Sequence, residues 1–121
     1  MSQRVYVDTN IFLDFLLDRD SYAFDFFMRA LSCEFTIVIS EVVLFELSRH
    51  GASFDSFSSL LRHKLVLEKI TDADRISART MPTHFADGLH AAVALRMNVD
   101  MFLSADKGFS FLAIHRTPDE I

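Results

Sequence analysis

Apolar positions along the chain fall into short runs whose spacing switches between strand and helix periods. The run from Arg4 to Asp8 (Arg-Val-Tyr-Val-Asp) has the β-branched and aromatic content of a short buried strand. Thr9 and Asn10 then suit a helix cap, and the helix begins over Ile11 to Leu17 with Phe12, Leu13, Leu16 and Leu17 apolar. A second helix is expected from Ser21 to Ser32. Its broad apolar set, Phe24, Phe26, Phe27 and Leu31, fits core or a dimer face better than a base-stacking platform. Phe35 to Ile39 reads as the second strand. Ser40 is a good N-cap, with Glu41 complementing the helix dipole. The helix that follows carries Val42, Val43, Phe45, Glu46 and Leu47 and stops near His50 and Gly51.

Phe54 to His63 has helical spacing, and Leu65 to Lys69 reads as a third strand. Thr71 to Asp74 resembles a capping box with Asp in place of the usual Glu, opening a helix that stops near Met81 and Pro82. Phe85 to Met97 is Ala-rich, with small side chains that would let the helix pack closely on a sheet. Val99 to Ser104 is a fourth strand, and Ala113 to Arg116 a weak fifth. This alternation predicts an α/β fold, a three-layer sandwich with a central, mainly parallel five-stranded sheet and helices on both faces. The chain of 121 residues shows no repeat, low-complexity tract or linker, so residues 1–121 are expected to form a single domain.

Composition narrows the classes. Half the residues are hydrophobic, including 13 Phe, which is enough for a core, and 24% are charged, which argues against disorder. No apolar run approaches a membrane span, and the N-terminus carries no signal-peptide pattern. Cys33 is the lone cysteine, so neither a disulfide framework nor a Cys-rich zinc site is expected; a reducing cytoplasm is the natural compartment. A net charge of −5 runs against the basic surface usual for nucleic-acid binding. Either this is an ordinary acidic domain, or several acids share one pocket neutralised by divalent cations.

Placement of the acids bears on that choice. Asp8 ends the first strand, Asp106 lies two residues past the fourth, Glu46 sits in the helix after the second, and Asp87 is near the start of the Ala-rich helix. In a parallel sheet all four can meet at the carboxyl edge, where ligands gather. Singly, each has an ordinary explanation. Asp8 can cap a helix, Glu46 can turn to water, Asp87 can complement a dipole, and Asp106 can sit in a turn. Glu46 is the hardest to place this way, because its neighbours are apolar and a carboxylate there needs a partner. Clustered carboxylates repel one another, and Mg²⁺ or Mn²⁺, which prefer oxygen ligands, relieve that repulsion and activate water for phosphoryl displacement.

These blocks resemble the PIN-domain ribonucleases, and especially VapC-type toxins of toxin–antitoxin pairs. The likeness is carried by Val7-Asp8-Thr9-Asn10, by Ile39 to Leu47 around Glu46, by Ala86 to Ala94 around Asp87, and by Phe102 to Phe109 around Asp106. The ending from Arg116 to Glu120 is similar as well. The segment between Glu46 and Asp87 is shorter than the family pattern. The resemblance implies metal ligation by Asp8, Asp87 and Asp106, with Glu46 binding metal or activating water, and support from Asn10 and Ser104. It also implies single-stranded RNA as substrate, a homodimer, and a small antitoxin partner. A PIN-like RNA-binding or assembly module without hydrolysis is the alternative. A receiver domain would want paired acids after the first strand and a Lys after the fifth, and an Asp-x-Asp phosphatase a second acid where Asn10 stands. His50, His63, His84, His90 and His115 show no zinc-like pair and are expected at surface or loop positions, though His84 and His90 flank Asp87 and are candidates for substrate contact. Asp100, at the opposite end of the fourth strand, is left out of the site.

Overall fold

The computed structural model describes residues 2–52, 55, 59, 61 and 64–121. Five strands, β1 (Gln3–Val7), β2 (Phe35–Ser40), β3 (Leu65–Glu68), β4 (Met101–Leu103) and β5 (His115–Arg116), form one sheet in the order β3-β2-β1-β4-β5. Every pairing is parallel. Helices α1 (Thr9–Leu16), α2 (Ser21–Leu31), α3 (Glu41–Arg49), α4 (Asp72–Arg79) and α5 (Phe85–Arg96) connect them. The three-layer α/β sandwich expected from the alternation is therefore the observed fold. The helix expected over 54–63 falls largely outside the described residues.

With the right-handed crossovers that parallel strands adopt, the chain runs from β1 through β2 to β3 with α1, α2 and α3 on one face. The connection from β3 back to β4 then lays α4 and α5 over the other face. Burial agrees. Val5, Tyr6 and Val7 of β1, Ile37, Val38 and Ile39 of β2, and Phe102 and Leu103 of β4 are all fully buried, so alternate residues are covered on both sides, as an interior parallel sheet requires. The Phe12, Phe26, Phe27 and Phe35 rings pack on one face, with Phe26 and Phe35 5.1 Å apart. Tyr6 and Phe102 stack at 5.2 Å on the face covered by α5.

Local signals act where the sequence places them. Ser40 caps α3 by accepting the Val42 N–H at 3.3 Å, and both hydrogen bonds of the Thr71–Asp74 capping box are made. Asp20 caps α2. Asp100 accepts the backbone N–H of Arg4 at 2.7 Å, a structural role at the amino edge of the sheet. The strand there begins at Met101, two residues later than the apolar run suggests.

The Ala-rich α5 packs against α4 as tightly as its small residues allow. Gly88 meets Ala78, and a Cβ at Gly88 would lie 2.7 Å from the Ala78 carbonyl oxygen. Arg96 fastens the far end of α5. Its Nε and Nη2 donate to the two oxygens of the buried Asp74 at 2.9 and 3.0 Å, and its other contacts reach Glu68 and the Lys69 carbonyl. Burial pushes the Asp74 carboxyl up, but the Arg96 and Thr71 hydrogen bonds outweigh it and hold it below the ordinary value. β3, α4 and α5 are thus locked together, which fixes the helix that carries Asp87.

Gly88→Ala tests that packing. Helix propensity favours Ala by about 1 kcal/mol, whereas overpacking against a backbone carbonyl costs about 1–3 kcal/mol or more. The clash is expected to win, and thermal unfolding should show a Tm lower by several degrees; an unchanged or higher Tm would mean that the helices part easily.

Candidate active site

The site grows from the carboxyl end of the central strand. The β1–β4 register pairs Tyr6 with Phe102 and Val7 with Leu103, so Asp8 emerges beside Ser104. The Asp8 N–H continues the ladder to the Leu103 carbonyl at 3.0 Å. Asp8 then does two things at once. It is the N-cap of α1, its Oδ1 accepting the Thr9 N–H at 2.8 Å, and it is a buried carboxylate, only 5% exposed, whose Oδ2 accepts the Ser104 hydroxyl at 2.8 Å. The cap explanation and the site explanation therefore describe the same residue.

Ser104, itself fully buried, ties Asp8 to the next acid. Its Oγ accepts the Asp106 N–H at 3.0 Å, while Asp106 Oδ1 accepts the Gly108 N–H at 2.8 Å and caps the short turn Lys107–Phe109. The backbone of Ser104 is held as well, its carbonyl accepting a hydrogen bond from His115 Nε2 at 2.9 Å.

Glu46 reaches the cluster from α3. Its Oε1 accepts hydrogen bonds from Thr9 Oγ1 and from His90 Nε2, both at 2.7 Å. Asp87, half-buried in the first turn of α5, feels Asp106 and Glu46 as like charges. The structure thus brings Asp8, Glu46, Asp87 and Asp106 into one electrostatic neighbourhood. Asn10 is exposed and lines a cavity with Leu13, Leu17 and His50; its neighbour Thr9 is the residue that touches the acids.

Burial is the main force raising the Asp8 carboxyl; His90, Ser104 and the Thr9 N–H pull it down without cancelling it, and Glu46 adds to the rise. Asp87 is also raised, first by burial and then, against the pull of His90, by Asp106 and Glu46. Glu46 goes the other way. Burial works to raise it, but the hydrogen bonds from His90 and Thr9, with the nearby Arg49 guanidinium, hold it below the ordinary value.

His90 corrects the expectation that the histidines occupy surface or loop positions. It is fully buried on α5, with Nδ1 2.7 Å from the Tyr6 hydroxyl and Nε2 3.8 Å from Asp8 Oδ1 as well as bonded to Glu46. An isolated buried imidazole would be costly, but both ring nitrogens have partners here. Ligand atoms of Asp8, Glu46 and His90 all lie within 4.8 Å of one another, a cluster able to face a metal ion. The sequence did hold a signal for it: His90 stands three residues after Asp87, on the same side of the helix, within a run of small buried residues. His115 is also half-buried, in β5. His50 and His84 are exposed at helix ends, as expected, and His63 lies outside the described residues.

The PIN domain family model matches residues 5–114. No curated protein sequence matches the chain significantly. Among solved structures, VapBC2 from Rickettsia felis, bound to a DNA fragment from its promoter, is similar with a TM-score of 0.67 at 16% identity, covering 94% of this chain and 98% of that one. A toxin–antitoxin complex from Klebsiella pneumoniae gives a TM-score of 0.71 at 17% identity, covering 97% and 99%. Mycobacterium tuberculosis VapC20, a sarcin-ricin loop cleaving toxin, gives 0.64 at 17%, covering 91% and 95%. At these identities the likeness is one of fold.

The raised Asp8 carboxyl makes stability depend on pH, and a cation bound beside it would offset its cost. A carboxyl raised in the folded state favours folding fully below its ordinary pKa, and that contribution is lost as pH rises through the raised value. Without divalent cations, Asp8→Asn should therefore gain Tm relative to wild type as pH rises from the ordinary carboxylate range toward neutral. Adding Mn²⁺ to wild type at neutral pH should restore about 2.7 kcal/mol at a hundredfold excess over Kd. Parallel melting curves in EDTA and Mn²⁺ check both; identical pH profiles for the two proteins would contradict the cost assigned to Asp8.

Proposed function

The chain belongs to the PIN domain family, and on that premise we propose that it is a metal-dependent endoribonuclease that cleaves single-stranded RNA, working as the toxin of a VapC-type pair. The observation that carries the reading is the convergence of acids at the carboxyl end of β1. A buried Asp8 lies close to an ionised Glu46, its backbone neighbour Ser104 holds the turn of Asp106, and Asp87, raised first by burial, feels both Asp106 and Glu46 as like charges. We read residues 1–121 as a single PIN-like domain.

The donor set fits a hard divalent cation. Carboxylate oxygens are the ligands Mg²⁺ and Mn²⁺ prefer, and two of the four carboxyls are raised, first by burial and then by neighbouring carboxylates. Asp8, Asp87 and Asp106 would hold it, with Glu46 either joining them or accepting a proton from water. When bound, the cation supplies Lewis acidity and relieves the repulsion among the carboxylates. The chain's own residues do the rest. Thr9 and Ser104 fix the two oxygens of Asp8, and Ser104 also holds the backbone of Asp106, so both acids keep their geometry as charge changes in the cleft. Asn10, exposed one residue past Thr9, is a candidate contact for substrate at the rim.

The toxin reading rests on family membership and on the fold shared with the VapBC structures. It brings with it a small antitoxin partner, a homodimer and a cytoplasmic setting. Among the described residues no helix is long and apolar enough to cross a membrane.

Purified protein with Mn²⁺ should cut a single-stranded RNA oligonucleotide, lose activity in EDTA, and lose at least about a hundredfold in rate on Asp8→Asn. Gel-resolved time courses measure this. RNA left intact by wild type, or cut equally well by Asp8→Asn, would refute the enzymatic reading.

A further inference from the structure

A chain of hydrogen bonds runs behind the acids, through residues that sequence reasoning did not join. Ser40 Oγ accepts the Val42 N–H at the start of α3 and lies 2.8 Å from the Tyr6 hydroxyl. The Tyr6 hydroxyl lies 2.7 Å from His90 Nδ1, and His90 Nε2 lies 2.7 Å from Glu46 Oε1. Ser40, Tyr6 and His90 are fully buried. The relay starts at the N-cap of α3 and returns to the same helix at Glu46, passing through β1 and α5.

The partners set the proton positions. An ionised Glu46 only accepts, so Nε2 carries a proton and donates it. The remaining groups then form a one-way series: Val42 N–H to Ser40 Oγ, Ser40 O–H to Tyr6 Oη, Tyr6 O–H to His90 Nδ1, and His90 Nε2–H to Glu46. Each hydroxyl both accepts and donates, so every member is satisfied with a neutral imidazole. Burial pushes the Tyr6 phenol far up, so it stays protonated and keeps its place in the series.

The relay bears on which of two roles Glu46 takes. Oε1 already accepts from Thr9 and His90, which occupies both of its lone pairs. The same Nε2 lies 3.8 Å from Asp8 Oδ1, so a donor, rather than a free pair of acceptors, stands between the two carboxylates. The side of Glu46 that looks toward Asp8 is therefore spoken for, and Oε2 is the oxygen left to act.

We propose that His90 is a positioning residue, held by Tyr6 and Ser40, which fixes Glu46 as the acceptor of a proton from the attacking water and keeps it out of the metal's ligand set. This rests on the nuclease reading above and divides the labour within it. A water oxygen forms a bond to phosphorus while one of its protons passes to Glu46. The bond from phosphorus to the leaving ribose oxygen breaks, that oxygen takes a proton from solvent, and Glu46 returns its own to solvent.

The test compares wild type, Tyr6→Phe, His90→Gln and His90→Ala on a short fluorogenic single-stranded RNA in saturating Mn²⁺, with Mn²⁺ affinity measured separately by electron paramagnetic resonance in the absence of RNA. His90→Ala should lower kcat by about 10–100-fold, with KM and Mn²⁺ affinity near wild type. His90→Gln, which keeps an N–H for Glu46, should recover part of the loss. Tyr6→Phe should move kcat in the same direction by a smaller factor, while the ring stays stacked on Phe102. It also carries the test if His90→Ala does not fold. A tenfold loss of Mn²⁺ affinity in either His90 variant would make His90 a ligand and overturn the proposal. Unchanged kcat in folded variants would reduce the relay to packing and overturn it too. Wild-type protein that cuts no RNA would instead bring down the nuclease reading and this role with it.

Discussion

Asp8 sits where the two strands beside β1 leave it almost no water, and a carboxylate in that position raises the free energy of the folded chain unless its surroundings answer it. The local responses are all in place. The first N–H of α1 and the Ser104 hydroxyl satisfy its oxygens, while His90 brings a nitrogen nearby. They do not cancel the cost, since the carboxyl remains raised. A bound cation would complete the answer. The same buried charge organises the fold around it, because the parallel β1–β4 register that buries Asp8 also delivers Ser104 and then Asp106 to its side.

The two faces of the sheet contribute differently to that arrangement. From one face α1 supplies Thr9, and α3 supplies Glu46. From the other, α5 supplies Asp87 and His90. Because α5 reaches the cleft from the far side of β1, its alignment matters, and two features remote from the acids secure it: the contact of Gly88 with Ala78 and the Arg96–Asp74 ion pair. Glu46 and Asp8 illustrate how environment assigns chemistry to identical functional groups. Both are carboxyls, with oxygens within 4.8 Å of each other. Two donors hold Glu46 ionised, while deeper burial pushes Asp8 toward neutrality and toward a cation.

Much of this could be read from the sequence, for physical reasons that differ by residue. Val5 to Val7 and Ile37 to Ile39 are continuous apolar runs because both faces of those strands are covered, so the parallel sheet shows in the pattern. Asp8 and Asp106 were placed by strand ends, and Glu46 by its apolar company. For His90 the sequence offers only its spacing from Asp87: periodicity along α5 is nearly lost when Ala91 to Ala94 are all buried, so no polar stripe marks the side that faces the acids. The partners that settle its role, Tyr6 and Glu46, are 84 and 44 residues away. Thr9, which the sequence marks only as part of a helix cap, hides its contact with Glu46 for a related reason. With Asp8 as the cap, Thr9 opens the helix and points to α3, leaving Asn10, the more obvious polar neighbour, exposed.

In the nuclease proposed above, the buried Asp8 and its neighbouring carboxylates hold a divalent cation. Anomalous diffraction from crystals grown with Mn²⁺ puts this to the test. A Mn²⁺ peak is expected at the carboxyl end of β1, coordinated by an Asp8 oxygen and by Asp87, Asp106 or both, with Glu46 still bonded to His90 and outside the ligand set. Strong Mn²⁺ peaks elsewhere with none at Asp8, or crystals saturated with Mn²⁺ that leave the cleft empty, would contradict it.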